Sequence, residues 1–300
     1  MAAPDTQAPA TPAPSTPAPS TPAPSSRTRK GGAGHRLRVL RSERLTPHLL
    51  RVVFGGPALD GVVDNGFTDK YVKLAFPRPG VEYPEPFDVP AIRESMPREA
   101  WPIVRTYTVR ALDHAAGELA IDFVVHGDEG VAGPWARRAA PGDVLLANGP
   151  GGAYRPDPDA DWHLLVGDES AVPAITAALA VLPEDAVTRV VVLVDSPADE
   201  PDLPVPAKGE LVFVHRSAGG GEGALSAAVQ ALGWPAGRVH VFAHGEAQEI
   251  MHQLRPYLFG ERGLARDQVS VSGYWRRGRT EEGFREWKSD LARREADGPA

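Results

Sequence analysis

The feature that most constrains this chain is a change of periodicity at Asn148-Gly149-Pro150-Gly151-Gly152. Upstream, short β-like runs at Leu37–Leu40, Leu49–Phe54, Tyr71–Phe76, Arg105–Arg110, Glu118–Val125 and Asp143–Ala147 are punctuated by Gly and Pro. Strands this short, with few long helical patterns between them, predict an antiparallel barrel or sandwich. Downstream, Trp162–Gly167, Arg189–Asp195, Glu210–His215, Arg238–Ala243 and Gln268–Ser272 are compact, mostly β-branched runs. Helical stretches at Ala171–Leu182, Ala224–Leu232 and Ala247–Leu258 lie between several of them. Alternating strand and helix predicts a parallel sheet covered on both faces. The expected organisation is therefore β-barrel plus α/β, with domains at 35–150 and 151–279, each able to bury its own core. Pro77–Pro102 is rich in Pro and charge and reads as a long irregular excursion across the barrel. In the C-terminal segment 280–300, Phe284, Trp287 and Leu291 fall at i, i+3 and i+7, the stripe of an amphipathic helix.

Residues 1–34 read as a separate arm. Thr-Pro-Ala-Pro-Ser recurs at 11–15, 16–20 and 21–25, and such a tract cannot bury enough apolar surface to offset its ordering entropy. The formal charge of the chain is −7, and Arg27, Arg29 and Lys30 lie in the arm, so the remainder is more acidic still. Nucleic acid and anionic membrane surfaces are disfavoured as partners. With no cysteine in the chain, electron chemistry has to run on a bound organic cofactor or on a metal held by His and carboxylates. No run approaches the roughly 20 apolar residues of a membrane span, and the N-terminus lacks the basic start and apolar block of a secretory signal. A cytoplasmic protein without membrane insertion is expected.

Chemistry concentrates in Arg105-Thr106-Tyr107-Thr108-Val109-Arg110. Alternation puts Arg105 and Tyr107 on one face and Thr106, Thr108 and Arg110 on the other. Polar groups on both faces make a poor core strand unless a ligand lies across its edge. Arg105 can pair a pyrophosphate bidentately, Tyr107 can lie against a flat ring, and a Thr hydroxyl can reach a ring nitrogen or carbonyl. Next comes His126-Gly127-Asp128-Glu129-Gly130, whose amides around Gly127 and Gly130 can line a phosphate as a nest. His126 is either a cofactor contact or a satisfied histidine at a strand end. Gly133-Pro134-Trp135-Ala136 follows.

In the second half, Gly167-Asp168-Glu169-Ser170 leaves a strand and opens a helix, where open α/β sheets bind nucleotides. It is not Gly-x-Gly-x-x-Gly, and Asp168 or Ser170 also serves as a simple helix cap. Asp195 ends the second strand, where an acid accepts hydrogen bonds from ribose hydroxyls; a loop acid is the plain alternative. In His244-Gly245-Glu246-Ala247, glycine at 245 allows a close approach to the backbone. Gly273-Tyr274-Trp275-Arg276-Arg277-Gly278 sets two aromatics and two arginines after the last strand, to cover a ring and attract an anion; a solvated basic turn beside two aromatics that finish the core is the plain alternative.

Taken together, these segments resemble the siderophore-interacting protein family of the ferredoxin-reductase-like superfamily, over about residues 35–290. The resemblance rests on Arg105–Arg110, Phe123–Gly127, Gly133–Ala136, Gly167–Ile175 and Gly273–Gly278. It implies an N-terminal flavin-binding antiparallel barrel, a C-terminal parallel-sheet nucleotide-binding domain, and an NAD(P)H-dependent ferric-siderophore reductase with FAD as cofactor and NADH or NADPH as donor. The implied cofactor contacts are Arg105, Thr106, Tyr107, Thr108, His126, Gly127, Gly130, Trp135, Ala136, Asp168, Glu169, Ser170, Asp195, Gly245, Glu246, Tyr274 and Trp275. Lys70 and Lys73, with Arg276 and Arg277, are the implied landing site for a ferric siderophore. No protein nucleophile and no resident metal are implied. Two departures stand out: Trp135 follows Pro134 directly, where the family inserts a few residues, and His244 replaces a common Ala. Two other readings fit the same residues, a flavin-dependent NAD(P)H oxidoreductase with another acceptor and a non-catalytic siderophore carrier.

Overall fold

The computed structural model describes residues 34–128, 130–279 and 283–284. The Pro-rich arm and most of the C-terminal stripe, including Trp287 and Leu291, lie outside the described residues. Strands β1 (His35–Thr46), β2 (Leu49–Gly55), β3 (Tyr71–Phe76), β4 (Ile103–Asp113), β5 (Glu118–Val124) and β6 (Val144–Gly151) close into an antiparallel barrel in the order β1-β2-β5-β4-β3-β6. The period-2 pattern decides which way each strand faces. On β3, Val72, Leu74 and Phe76 point into a core with Leu37, Val52, Phe54, Leu119, Ile121 and Phe123, while Tyr71 and Lys73 stand outside.

The Pro-rich excursion is more ordered than its composition suggests. Helix α1 (Val89–Ser95) begins where Asp88 Oδ1 accepts a hydrogen bond from Ala91 N at 3.1 Å, an N-cap followed by an early Pro. Helix α2 (Ala132–Arg138) packs on the barrel core through Ala132 and Ala136.

The second sheet is parallel: β7 (Trp162–Asp168), β8 (Thr188–Val194), β9 (Glu210–His215), β10 (Val239–Glu246) and β11 (Val269–Trp275), in the order β11-β10-β7-β8-β9. Helix α3 (Val172–Leu179) follows β7, and α4 (Ala224–Ala231) follows β9. After β10 the chain winds through wide helical turns at Gln248–Leu254 and Tyr257–Glu261. From β7 the chain steps outward through β8 and β9, then returns to lay β10 on the other side of β7. That reversal opens a crevice at the C-terminal ends of β7 and β10.

Both sheets belong to one compact unit, Ala33–Ala300. Leu49, at the start of β2, is buried in the same cluster as Leu165, Val172 and Ile175 of the parallel half. Truncating such a leucine costs about 2–5 kcal/mol, so barrel and sheet are held together by apolar packing.

Candidate functional site

The register places Tyr71 opposite Thr108, Val72 opposite Tyr107, Lys73 opposite Thr106 and Leu74 opposite Arg105. Directly paired residues share a face, so Arg105 and Tyr107 lie on the side of the barrel core and Thr106 and Thr108 on the outer side. Tyr107 is half buried, its ring centred 4.4 Å from that of Phe123. Arg105 is half buried too, and its Nη1 donates to Val104 O at 3.0 Å. Thr108 is only 8% exposed although it faces outward. Tyr274 lies against it: its phenol interacts with Thr108, and burial holds the phenol's pKa well above the ordinary value. A bulge between Val109 and Ala111 turns Arg110 toward Arg51 and Asp122. Arg51 takes both Asp122 oxygens, at 2.7 and 2.9 Å, and Arg110 Nε is buried with no hydrogen-bond partner among the described residues.

The loop after β5 has an open backbone. Gly127 and Gly130 have φ of 50° and 80°. The amides of His126, Gly127, Asp128 and Gly130 find no acceptor among the described residues. Asp128 is held aside by Arg137. The exposed His126 interacts electrostatically with Glu169, Arg216 and Asp195, so this barrel loop borders the C-terminal ends of the parallel strands. Trp135 and Ala136 have a different place. Trp135 packs among Phe54, Phe76 and Phe123 at centroid distances of 6.2, 5.7 and 5.9 Å, and Ala136 is 1% exposed in the barrel core. The resemblance implies them as cofactor contacts; in the structure they pack into the core, because the helix carrying them lies on the barrel.

Asp168 organises the crevice. Its Oδ1 accepts from Ser170 N at 2.9 Å and Ser170 Oγ at 2.5 Å, and its Oδ2 from Glu246 N and Trp275 Nε1, both at 2.8 Å. One buried carboxylate thus ties together the ends of β7, β10 and β11. Burial, with Glu169 beside it, raises its pKa above the carboxylate range while the hydrogen bonds oppose the shift. Gly245 sits at φ 154°, and a Cβ there would come within 2.9 Å of Asp168 Oδ2, so only glycine fits. Glu246 is a cap: Oε2 accepts from Gln248 N and Glu249 N at 2.6 and 3.0 Å, and Oε1 from Arg277 N at 3.1 Å. Glu169 is engaged bidentately by Arg216 at 2.5 and 2.9 Å. Asp195 stands half buried just past β8, where its backbone oxygen accepts from Ser217 N.

The expected basic residues do not form one uniform patch. Lys70 is paired with Asp64 at 3.1 Å and its side chain is 16% exposed. Arg276 Nη2 donates to Gln248 Oε1 at 3.3 Å, whereas Lys73 and Arg277 are exposed. Sequence reasoning missed Arg155, also exposed, whose Nη1 lies 3.7 Å from the position of a Cβ built on Gly66, beside the 64–70 segment. It missed Arg216, His48 and Asp199 as well; their partners are remote in sequence and no local pattern marks them.

A closed antiparallel barrel bearing Arg-Thr-Tyr-Thr, joined to a parallel sheet with a crevice at its switch point, defines the ferredoxin-reductase-like architecture. Residues 38–154 match the siderophore-interacting FAD-binding domain and residues 160–278 the siderophore-interacting protein domain. The chain belongs to the siderophore-interacting protein family. An uncharacterized protein of Mycobacterium tuberculosis is 48% identical over 275 residues, 87% of this chain and 97% of that protein. The ferric vibriobactin reductase ViuB of Vibrio cholerae is 34% identical over 82% of this chain and 91% of its own. The crystal structure of the siderophore-interacting protein SipS from Aeromonas hydrophila superposes with a TM-score of 0.73 at 30% identity, covering 87% of this chain and 98% of that one.

Proposed function

We propose that this protein is a flavin-dependent ferric-siderophore reductase that draws on NADH or NADPH and releases iron as Fe(II). The observation that carries the reading is the juxtaposition of Thr108 and Tyr274. It joins the barrel strand with the Arg-Thr-Tyr-Thr sequence to the strand end that borders the nucleotide crevice, and hydride donor and acceptor must be brought into contact to react. The likeness to a ferric vibriobactin reductase along most of both chains supports the acceptor.

The residues suit FAD. The amides of His126, Gly127, Asp128 and Gly130, without an acceptor among the described residues, offer a nest for a pyrophosphate; Arg105 adds a charge, Tyr107 an aromatic edge and Thr108 a hydroxyl. When bound, FAD supplies two-electron acceptance from a nicotinamide and one-electron delivery to iron. Across the crevice, Asp168 fixes the backbone around Gly245 so that a nicotinamide can approach closely. Asp195 accepts ribose hydroxyls, and Tyr274 and Trp275 keep water from the ring edge. Exposed Lys73, Arg155 and Arg277 draw in an anionic ferric chelate. Hard oxygen donors hold Fe(II) far less tightly than Fe(III), so reduction frees the metal and spares the chelator.

Anaerobic mixing tests this. NADH or NADPH should bleach the protein's flavin, and a ferric siderophore should restore its colour while a ferrous indicator develops. Flavin that stays oxidised with both nucleotides, or reduced flavin that ferric chelates leave untouched, would overturn the reading.

A further inference from the structure

Three side chains converge beside the crevice: His48 in the turn between β1 and β2, Asp195 just past β8, and Asp199 in the loop beyond. One ligand atom from each lies within 4.8 Å of the others. His48 Nδ1 is 2.8 Å from Asp199 Oδ1, and Ser196 Oγ donates to Asp199 Oδ2 at 2.7 Å. Asp199 is 2% exposed and so is fixed from two sides, while His48 and Asp195 are half buried and open to solvent. A second imidazole, His126, has its ring centred 5.0 Å from that of His48. A hydrogen-bonded His–Asp pair accounts for two of these groups and leaves the third unexplained. The Asp195 carboxylate has no hydrogen-bond donor among the described residues, although it stands against a second acid. The neighbouring guanidinium, Arg216, is occupied by Glu169.

We propose that His48, Asp195 and Asp199 form a binding site for one divalent transition-metal ion, the class to which Fe(II), the product of the proposed reaction, belongs. An imidazole with two carboxylates is a nitrogen–oxygen donor set that favours such ions over Mg²⁺ or Ca²⁺. In a tetrahedral site with metal–ligand bonds of about 2.0–2.2 Å, ligand atoms stand about 3.4 Å apart, so small rotations of the two solvent-facing side chains suffice. The ion replaces the hydrogen bond between His48 and Asp199 and compensates the charge on Asp195. Since Asp195 is also the acid assigned to the ribose, occupancy withdraws it from the nucleotide, and accumulated Fe(II) slows its own production. This consequence rests on the proposed function; the metal site does not.

Calorimetric titration of the full-length, as-purified protein with ZnCl₂, a redox-inert probe, should find one ion per chain. Affinity should fall by at least about 10-fold in His48→Asn and in Asp199→Asn, since even outer-sphere partners of metal ligands carry 10–100-fold. His48→Asn keeps a donor toward Asp199, which separates loss of a ligand from loss of the local structure. Saturating zinc should raise the KM for NADH several-fold in the wild type and leave it unchanged in His48→Asn. No one-to-one binding, or equal affinity in both variants, overturns the site. Binding that depends on His48 yet leaves the KM unmoved overturns the competition and removes Asp195 from the nucleotide contact, with the metal site intact. Absence of any nucleotide-driven flavin reduction would defeat the proposed function while the calorimetry still decides the ion.

Discussion

The two ends of the parallel sheet bury polar groups in opposite ways. At the C-terminal end, Asp168 is 1% exposed and receives four hydrogen bonds. Glu246 receives three, and Glu169 is paired through both oxygens. At the N-terminal end, Tyr154 Oη, Trp162 Nε1, His163 Nδ1 and Thr188 Oγ1 are buried with no partner among the described residues. A buried polar atom left unmatched costs about 1–3 kcal/mol, so the lower end gives up stability that the upper end retains. Satisfied groups hold one geometry, and pre-set geometry is what a crevice needs in order to position a ligand. The lower end has packing to do and no ligand to place.

The largest test of that contrast is Asp168→Ala. It strands the donors of Glu246, Trp275 and Ser170 together, and at about 1–3 kcal/mol each the loss of stability in urea denaturation should exceed about 3 kcal/mol. Asp168→Asn keeps one acceptor oxygen, for two of the four donors, and should lose less. Equal, small losses in both would show that the carboxylate is not the tie.

Acid should act on the lower end first. Burial, with His240 adjacent, lowers the His163 pKa to about 4, against an ordinary 6.5. Below 6.5 the unfolded chain takes up a proton that the folded chain refuses. Stability is therefore complete above pH 6.5, falls as the pH drops toward 4, and levels off below, a loss of about 3 kcal/mol. His163→Gln should flatten denaturation midpoints across that window; an unchanged slope would mean that the imidazole is protonated in place.

At the barrel, Arg105→Ala should remove the proposed charge-assisted contact to a pyrophosphate, worth about 1.5–3 kcal/mol, and flavin content of the purified protein should fall accordingly. Wild-type absorbance in that variant would take Arg105 out of the site. The smallest effect belongs to the chelate surface. Lys73→Ala, which frees no ion-pair partner among the described residues, should raise the apparent KM for an anionic ferric chelate by up to about fivefold, the range of an exposed charge pair. Lys70→Ala should do less, because Lys70 is held by Asp64. The reverse order would relocate the landing site.

Much of the fold was legible because it follows from period. The predicted strands fall on β1 to β11 within a few residues, apart from the ends of β1, β4, β6 and β10. Strand β1 runs on to Thr46 through Arg41, Ser42, Glu43 and Arg44. These are exposed and polar, and their pairing with β2 is visible only in the ladder. The site was half legible. Arg105 to Thr108 and Gly167 to Ser170 are local patterns, whereas the Trp135 ring cannot be told from a ligand-facing aromatic until Phe54, Phe76 and Phe123 close around it. Glu246 reads as a binding acid in sequence, yet Oε2 is occupied by the helical turn it starts and Oε1 by Arg277 N.

What the sequence determined by itself is where strands and helices form, which faces are apolar, and which short segments carry chemistry. Hydrophobic period, turn residues and cap residues act over a few neighbours. What only the tertiary structure decided is which distant groups meet: Thr108 with Tyr274, Glu169 with Arg216, and His48 with Asp199, 151 residues away. Pairings of that kind depend on how barrel and sheet pack and how β10 returns beside β7. A hydrogen bond reaches about 3 Å, and no local pattern can specify so short a distance across so long a stretch of chain.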